Sequence, residues 1–140
     1  MWVDMRRLNR VFRGLFRKGT PVRRRSEDVN NDLYPKVVEV MEQSKAYLDQ
    51  NFNLEVLTLL VGTNRTYLSH SLRVNGTNFS KFVAEYRCRH VAYLLDSQTE
   101  SYDVEELVLL SGFPSRRTMY MCLNKYAPDV CARVKVSVKK

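Results

Sequence analysis

Residues 54–62, LEVLTLLVG, and residues 104–112, VEELVLLSG, carry one pattern at an offset of 50. Leu57/Leu107, Leu59/Leu109, Leu60/Leu110, Glu55/Glu105 and Gly62/Gly112 coincide. Past the glycine the offset becomes 51, pairing Asn64 with Ser115, Arg65 with Arg116, Leu68 with Met119 and Leu72 with Leu123. Each copy reads as a short apolar helix, a glycine turn and a second helix. Glycine after the last periodic residue stops a helix because the left-handed conformation costs it little. Asn and Ser open the next helix because their side-chain oxygen accepts from a first-turn backbone N–H. The pattern predicts two helix-turn-helix units, in which the second helix can lie in a major groove. Leu57, Leu60, Leu68, Leu72, Leu107, Leu110, Met119 and Leu123 are the expected core.

Working outward, residues 33–50 place Val37, Val40, Met41, Tyr47 and Leu48 on one side of a helix, and Asn53 caps the short helix after it. Asn78 opens a long helix, FSKFVAEYRCRHVAYLLD, with Phe79, Phe82, Val83, Tyr86, Leu94 and Leu95 on its inner side. Asp103 with Glu106 starts the second copy in capping-box fashion. Residues 2–17, WVDMRRLNRVFRGLFR, form a basic amphipathic pattern, and residues 18–31 read as a linker, setting a boundary near residue 30. After Pro128, VCARVKVSVKK alternates like a strand and is expected to be an irregular basic tail over 129–140. The fold class is therefore all-α: residues 1–30 a basic helix and linker, 31–128 two helix-turn-helix subdomains joined by a long linker helix, then the tail.

Composition agrees with a globular chain: 44% hydrophobic and 27% charged over 140 residues. No stretch approaches the ~18 apolar residues of a membrane span, and no signal-peptide order appears. Cytoplasmic placement is the expectation. Cys88, Cys122 and Cys131 form no C-x-x-C pair and, with only His70 and His90 beside them, no metal set; reduced thiols are expected. The sequons at Asn64, Asn75 and Asn78 stand where turns and caps want asparagine. Glu105 and Glu106 lack a nucleophile or base, and no phosphate-cradling glycine loop exists. Neither an enzyme nor a cofactor is expected.

Placement of charge is more telling than its total of +8. Residues 1–25 hold nine Lys/Arg against one Asp, and the remainder is neutral overall. Within it, 26–60 comes to −5, 61–95 to +4, 96–106 to −5 and 107–140 to +6. The basic blocks contain both second helices. A phosphate backbone would attract those and repel the blocks holding the supporting helices.

Over roughly residues 33–128 the chain resembles the AraC/XylS family of bacterial transcription regulators. The resemblance is carried by NLEVLTLLVGTNRTYLSHSL, FSKFVAEYRCRHVAYLLD and VEELVLLSGFPSRRTMYMCLNKY, including the one-residue difference between the two turns and the GF-x-S before the second reading helix. It implies seven short helices in two subdomains whose reading helices enter successive major grooves. Carried over, the reading faces are Asn64, Arg65, Thr66, Ser69, His70 and Arg73, and Ser115, Arg116, Arg117, Tyr120, Met121 and Lys125.

Arg65, Arg116 and Arg117 stand in first turns, where arginine can donate two bonds to guanine O6 and N7. Thr66, Ser69 and Tyr120 are suited to base or phosphate bonds, and Arg73 and Lys125, two turns later, to phosphate. His70 and Met121 stand where the family commonly has arginine; Met121 cannot donate a hydrogen bond, so the second helix is expected to read fewer bases or to meet a thymine methyl instead. Val91 replaces a usual alanine, a bulkier fit expected between subdomains. The shortened ending at Tyr126-Ala127-Pro128 predicts a less closed second subdomain. Arg87, Arg89 and His90 read as solvated or paired with Glu85. Double-stranded DNA is the expected partner, with RNA polymerase a second candidate. The basic N-terminal helix leaves three readings: a DNA arm, a membrane-surface contact at the inner face, or the stub of a longer regulator with its sensor region. A protein- or membrane-interaction module with weakened DNA reading is the rival function.

Overall fold

The computed structural model describes residues 26–97 and 101–137, with side chains from Leu33 onward. Among these residues the chain is all-helical, with seven α-helices, one 3-10 turn and no strand. In order they are α1 (Ser26–Ser44), the 3-10 turn Ala46–Leu48, α2 (Leu54–Val61), α3 (Arg65–Val74), α4 (Phe79–Asp96), α5 (Val104–Ser111), α6 (Arg116–Tyr126) and α7 (Pro128–Ser137). They divide into two compact units. The N-terminal unit holds described residues up to Ala46 together with 52–79; the C-terminal unit holds 47–51 and the described residues from Ser80 on. The basic amphipathic pattern at 2–17 lies outside the described residues.

In the N-terminal unit α1 packs on α2 and α3. Val37, Val40 and Met41 are buried, as are Leu57, Leu60, Val61, Leu68 and Leu72. The rings of Phe52 and Phe79, at the two ends of the α2–α3 stretch, lie 5.5 Å apart. Helix α1 begins at Ser26, upstream of the boundary expected near residue 30, and Pro35 falls inside it. The added turns carry no apolar stripe, so periodicity alone assigns them to the linker. The chain then leaves this helix through Lys45, a left-handed residue at φ 51°.

The C-terminal core is built from Cys88, Val91, Leu94 and Leu95 of α4, Leu107 and Val108 of α5, Phe113, and Met119 and Leu123 of α6. Leu110, expected inside, is only half-buried, and Val108 takes the interior position. Val91 is fully buried within this core, so its bulk fills one unit's interior.

The residues after Pro128 overturn the expectation of an irregular tail. They form α7, which packs against α6 and contributes Val130, Cys131 and Val134 to the core. Proline suits a first helical position because it needs no amide partner there, and Asp129 places negative charge at the same end. The alternation of VKVSV misleads because Val130, Cys131 and Val134 also satisfy helical spacing, with Val136 left 82% exposed. Arg133 of α7 donates to Asp96 Oδ1 at the end of α4 at 2.5 Å. The second half is therefore closed by α7, against the expectation of a less closed second subdomain.

Arg87 also departs from expectation. Instead of being solvated or paired with Glu85 it is buried, with Nε donating to Tyr47 O at 2.7 Å and Nη2 to Asp49 O at 2.9 Å. Burial lowers its pKa, while Cys122 and Asp49 oppose that shift. The guanidinium carbon lies 6.0 Å from the centroid of Phe113. Arg89 does reach the surface, with its guanidinium 4.2 Å from the Tyr86 ring centroid. His90 is half-buried beside Tyr93, 5.5 Å between centroids.

Gly112 faces the same segment. At φ +82° it is left-handed, and a Cβ there would stand 2.3 Å from Tyr47 O and 2.7 Å from Leu48 backbone atoms. Gly62 shares the conformation, φ +80°, but a Cβ there would meet nothing nearer than Lys36 Nζ at 4.0 Å. Gly62→Ala should therefore cost only the left-handed penalty of about 1–2 kcal/mol. Gly112→Ala should cost more than this, adding an overpacking term of about 1–3 kcal/mol. Urea unfolding of both variants checks the order, and equal losses would remove the close approach as a constraint.

Cys88 and Cys131 are buried and Cys122 half-buried, all as free thiols. Burial, followed by the neighbouring Cys122, pushes the Cys88 thiol up to about 12. An unfolded thiol loses its proton near 9.0, so between there and about 12 the folded state holds the extra proton. Folding stability should accordingly fall as pH rises through that window. Cys88→Ala should flatten the fall in urea titrations at successive pH; an unchanged slope would assign it to other groups.

Candidate nucleic-acid interface

Helices α3 and α6 carry the predicted site residues, and both begin at a capping side chain. Asn64 Oδ1 accepts from Tyr67 N at 2.9 Å. Ser115 Oγ accepts from Thr118 N at 3.1 Å and donates to Thr118 Oγ1 at 3.0 Å. These bonds satisfy amides that an α-helix leaves unpaired at its start. Both residues are exposed, yet their oxygens already serve the helix, so their first role is to start α3 and α6 in the correct phase.

Upstream of each cap a short helix stops in a left-handed glycine. Gly62 N donates to Thr58 O at 2.9 Å, and Gly112 N to Leu109 O at 3.4 Å. The short helices are themselves capped: Asn53 Oδ1 accepts from Val56 N and Asp103 Oδ1 from Glu106 N, at 2.9 and 2.8 Å. Local chemistry thus builds the same helix–glycine–helix pair in each unit.

The inner side of α3 is Leu68 and Leu72, at 0% and 1% exposure; that of α6 is Met119 and Leu123, both at 0%. With those positions pinned, the opposite side of each helix must face water. On α3, Arg65, Thr66, His70 and Arg73 are exposed and Ser69 is half-buried. On α6, Arg116, Arg117, Met121 and Lys125 are exposed, and Tyr120 is half-buried against the C-terminal core. Lys125 Nζ lies 5.3 Å from the centroid of the adjacent Tyr126 ring. Each set of predicted residues is brought together on its own helix.

Two surface residues escape a reading of the sequence. Tyr67 is 42% exposed on α3, among the predicted contacts. Its phase, one residue off the Leu68–Leu72 stripe, is the available signal. Glu105, at the start of α5, accepts from Arg116 Nη2 through Oε1 at 2.8 Å, with side chains 71% and 58% exposed. No periodicity could announce a pair eleven residues apart across a turn. In the other copy, Glu55 and Arg65 occupy the matching positions but form no such bond.

Chemically, these faces offer guanidinium and ammonium donors, an imidazole, hydroxyls and one thioether. The guanidinium and ammonium groups present positive charge on the outer side of each helix, which attracts anionic ligands. Among the described residues no group of three or more His, Cys, Asp or Glu is placed to hold a metal ion. None of the described helices is long and apolar enough to cross a membrane. No family model, curated protein or solved structure matches this chain.

The capping role has a measurable signature. Asn64→Ala and Ser115→Ala should each destabilise the fold by about 1 kcal/mol. Replacement by glycine should cost only a few tenths. Urea unfolding of the four variants tests this, and equal losses for alanine and glycine would remove the cap assignment.

Proposed function

We propose that the protein is a sequence-specific DNA-binding transcription regulator of AraC/XylS type. In this reading α2–α3 and α5–α6 are two helix-turn-helix units joined by α4, and α3 and α6 enter successive major grooves of one duplex. The observation that carries it is the duplicated pair: a short helix, a left-handed glycine and a capped helix whose outer side is basic, present in both units. Single units of this kind also serve as packing elements. A duplicated one with arginine in the first exposed turn of both copies is better explained by a repeating ligand.

Roles derive from position. Arg65, Arg116 and Arg117 stand in first turns, where a planar fork can pair with guanine O6 and N7. Arg73 and Lys125 sit in the last turns and suit phosphate, which fixes register without reading sequence. Met121, 61% exposed, has no donor to offer and suits the apolar methyl of thymine. Tyr67, Thr66 and Ser69 add hydroxyls to the first helix.

Selection of bound duplexes from a random library, using the full chain, tests the reading. The expected site has two conserved segments about 10 base pairs apart. Arg116→Ala should relax preference at a position of one segment, by about 1–3 kcal/mol. Arg73→Ala should weaken binding to all sequences alike and lower the salt slope by about one. Failure to retain any duplex at low salt, or sequence-blind losses from both variants, would contradict the assignment.

A further inference from the structure

The Arg116–Glu105 pair breaks the symmetry of the duplicated site. Arg116 is the first residue of α6 and Glu105 the second of α5, so the carboxylate reaches across the Gly112 turn to the guanidinium. Only Nη2 is engaged, by Glu105 Oε1 at 2.8 Å. The rest of the guanidinium fork keeps its donors for another acceptor. Arg117, the next residue, is exposed and enters no ion pair among the described residues, and neither does Arg65 in the other unit.

From this we infer that Glu105 is a specificity-determining residue acting through Arg116; the inference rests on the DNA-binding reading above. A carboxylate beside a guanidinium does two things to a nucleic-acid ligand. It repels a phosphate that approaches the same guanidinium, since both anions compete for one cation. It also holds the fork in one orientation, so that the free edge meets a base without further loss of rotamer entropy. A guanine edge is uncharged and suffers little of the repulsion. Glu105 therefore lowers capture of DNA by its backbone while sparing capture through a base. Arg117, next to Arg116 but without a carboxylate, keeps full access to phosphate.

The size of the effect is bounded by the exposure of the pair. An exposed ion pair is worth at most about 1 kcal/mol, which is about five-fold in affinity. Glu105→Gln keeps the shape of the side chain and removes the charge. In the full chain it should strengthen binding to random duplex by up to about five-fold and steepen the salt slope by as much as about one. At the selected site affinity should not rise, and should fall to the extent that the fork loses its orientation, so the selectivity ratio falls by at least the same factor. Glu55→Gln removes an equal charge from the matching position without releasing an arginine, and should change random binding less.

The deciding measurement is the double variant, titrated against random duplex and selected site over a range of salt. In the Arg116→Ala background the gain from Glu105→Gln should vanish. A gain that persists there, or equals that of Glu55→Gln, or appears equally at the selected site, would overturn the role of Glu105 and leave the DNA-binding reading intact. A wild-type chain that binds no duplex would overturn both.

Discussion

Each unit depends on a chain reversal completed in three or four residues between packed helices. Such a reversal requires a left-handed residue at the end of the first helix and a capped amide at the start of the second. Gly62 with Asn64 and Gly112 with Ser115 supply them. Once the reversal is made, the phase of the second helix is set by which residues are apolar. Leu68 and Leu72, or Met119 and Leu123, turn inward, and everything half a turn away turns outward. The basic surface is thus a by-product of core packing, and no side chain need be ordered by a ligand to create it.

Gly112 carries a burden that Gly62 does not. Its α-carbon faces the Tyr47 carbonyl and the Leu48 backbone, and Arg87 donates to the carbonyls of Tyr47 and Asp49 from α4. Segment 47–51 is thereby gripped twice within the C-terminal unit: once by a missing side chain and once by a buried cation. Burying a guanidinium is unfavourable unless its donors are satisfied. Two carbonyls whose own chain makes no regular α-helix are suitable acceptors, because buried backbone oxygens need partners of their own. The two devices are complementary: one lets the backbone approach, and the other keeps it there.

What can be read from the sequence is local or periodic. The caps at Asn53, Asn64, Asp103 and Ser115, the stops at Gly62 and Gly112, and the inner stripes of α2, α3 and α6 each need only a few neighbouring residues to be recognised, whereas in α5 Val108 and not Leu110 lies inside. The features that escape it have another origin. Arg87 meets its acceptors 40 and 38 residues away, and nothing near it in sequence hints at Tyr47 or Asp49. Glu105 finds Arg116 only after the turn has closed. Helix α7 is obscured because a run of ten residues can satisfy both a strand and a helix period, and packing on α6 decides between them. The exposed chemistry of α3 and α6 is legible because exposure is the complement of a stripe; which charges are neutralised there is not.

On the proposed DNA-binding reading, that distinction bears on how two similar copies would read an asymmetric duplex. Two copies with equal free arginines would bind phosphate equally and discriminate weakly, since backbone charge is the same at every base pair. Selectivity requires that some cations be harder to satisfy with phosphate than with a base. Among the described residues, the N-terminal copy leaves Arg65 without an ion pair, whereas the C-terminal copy pairs Arg116 and leaves Arg117 beside it free of one. One added residue in the second turn separates the copies, and it shifts the first arginine of α6 relative to the carboxylate of α5. Glu105 then reaches its partner where Glu55 does not. On the proposed DNA-binding reading, the copy whose carboxylate reaches its arginine is the more discriminating one.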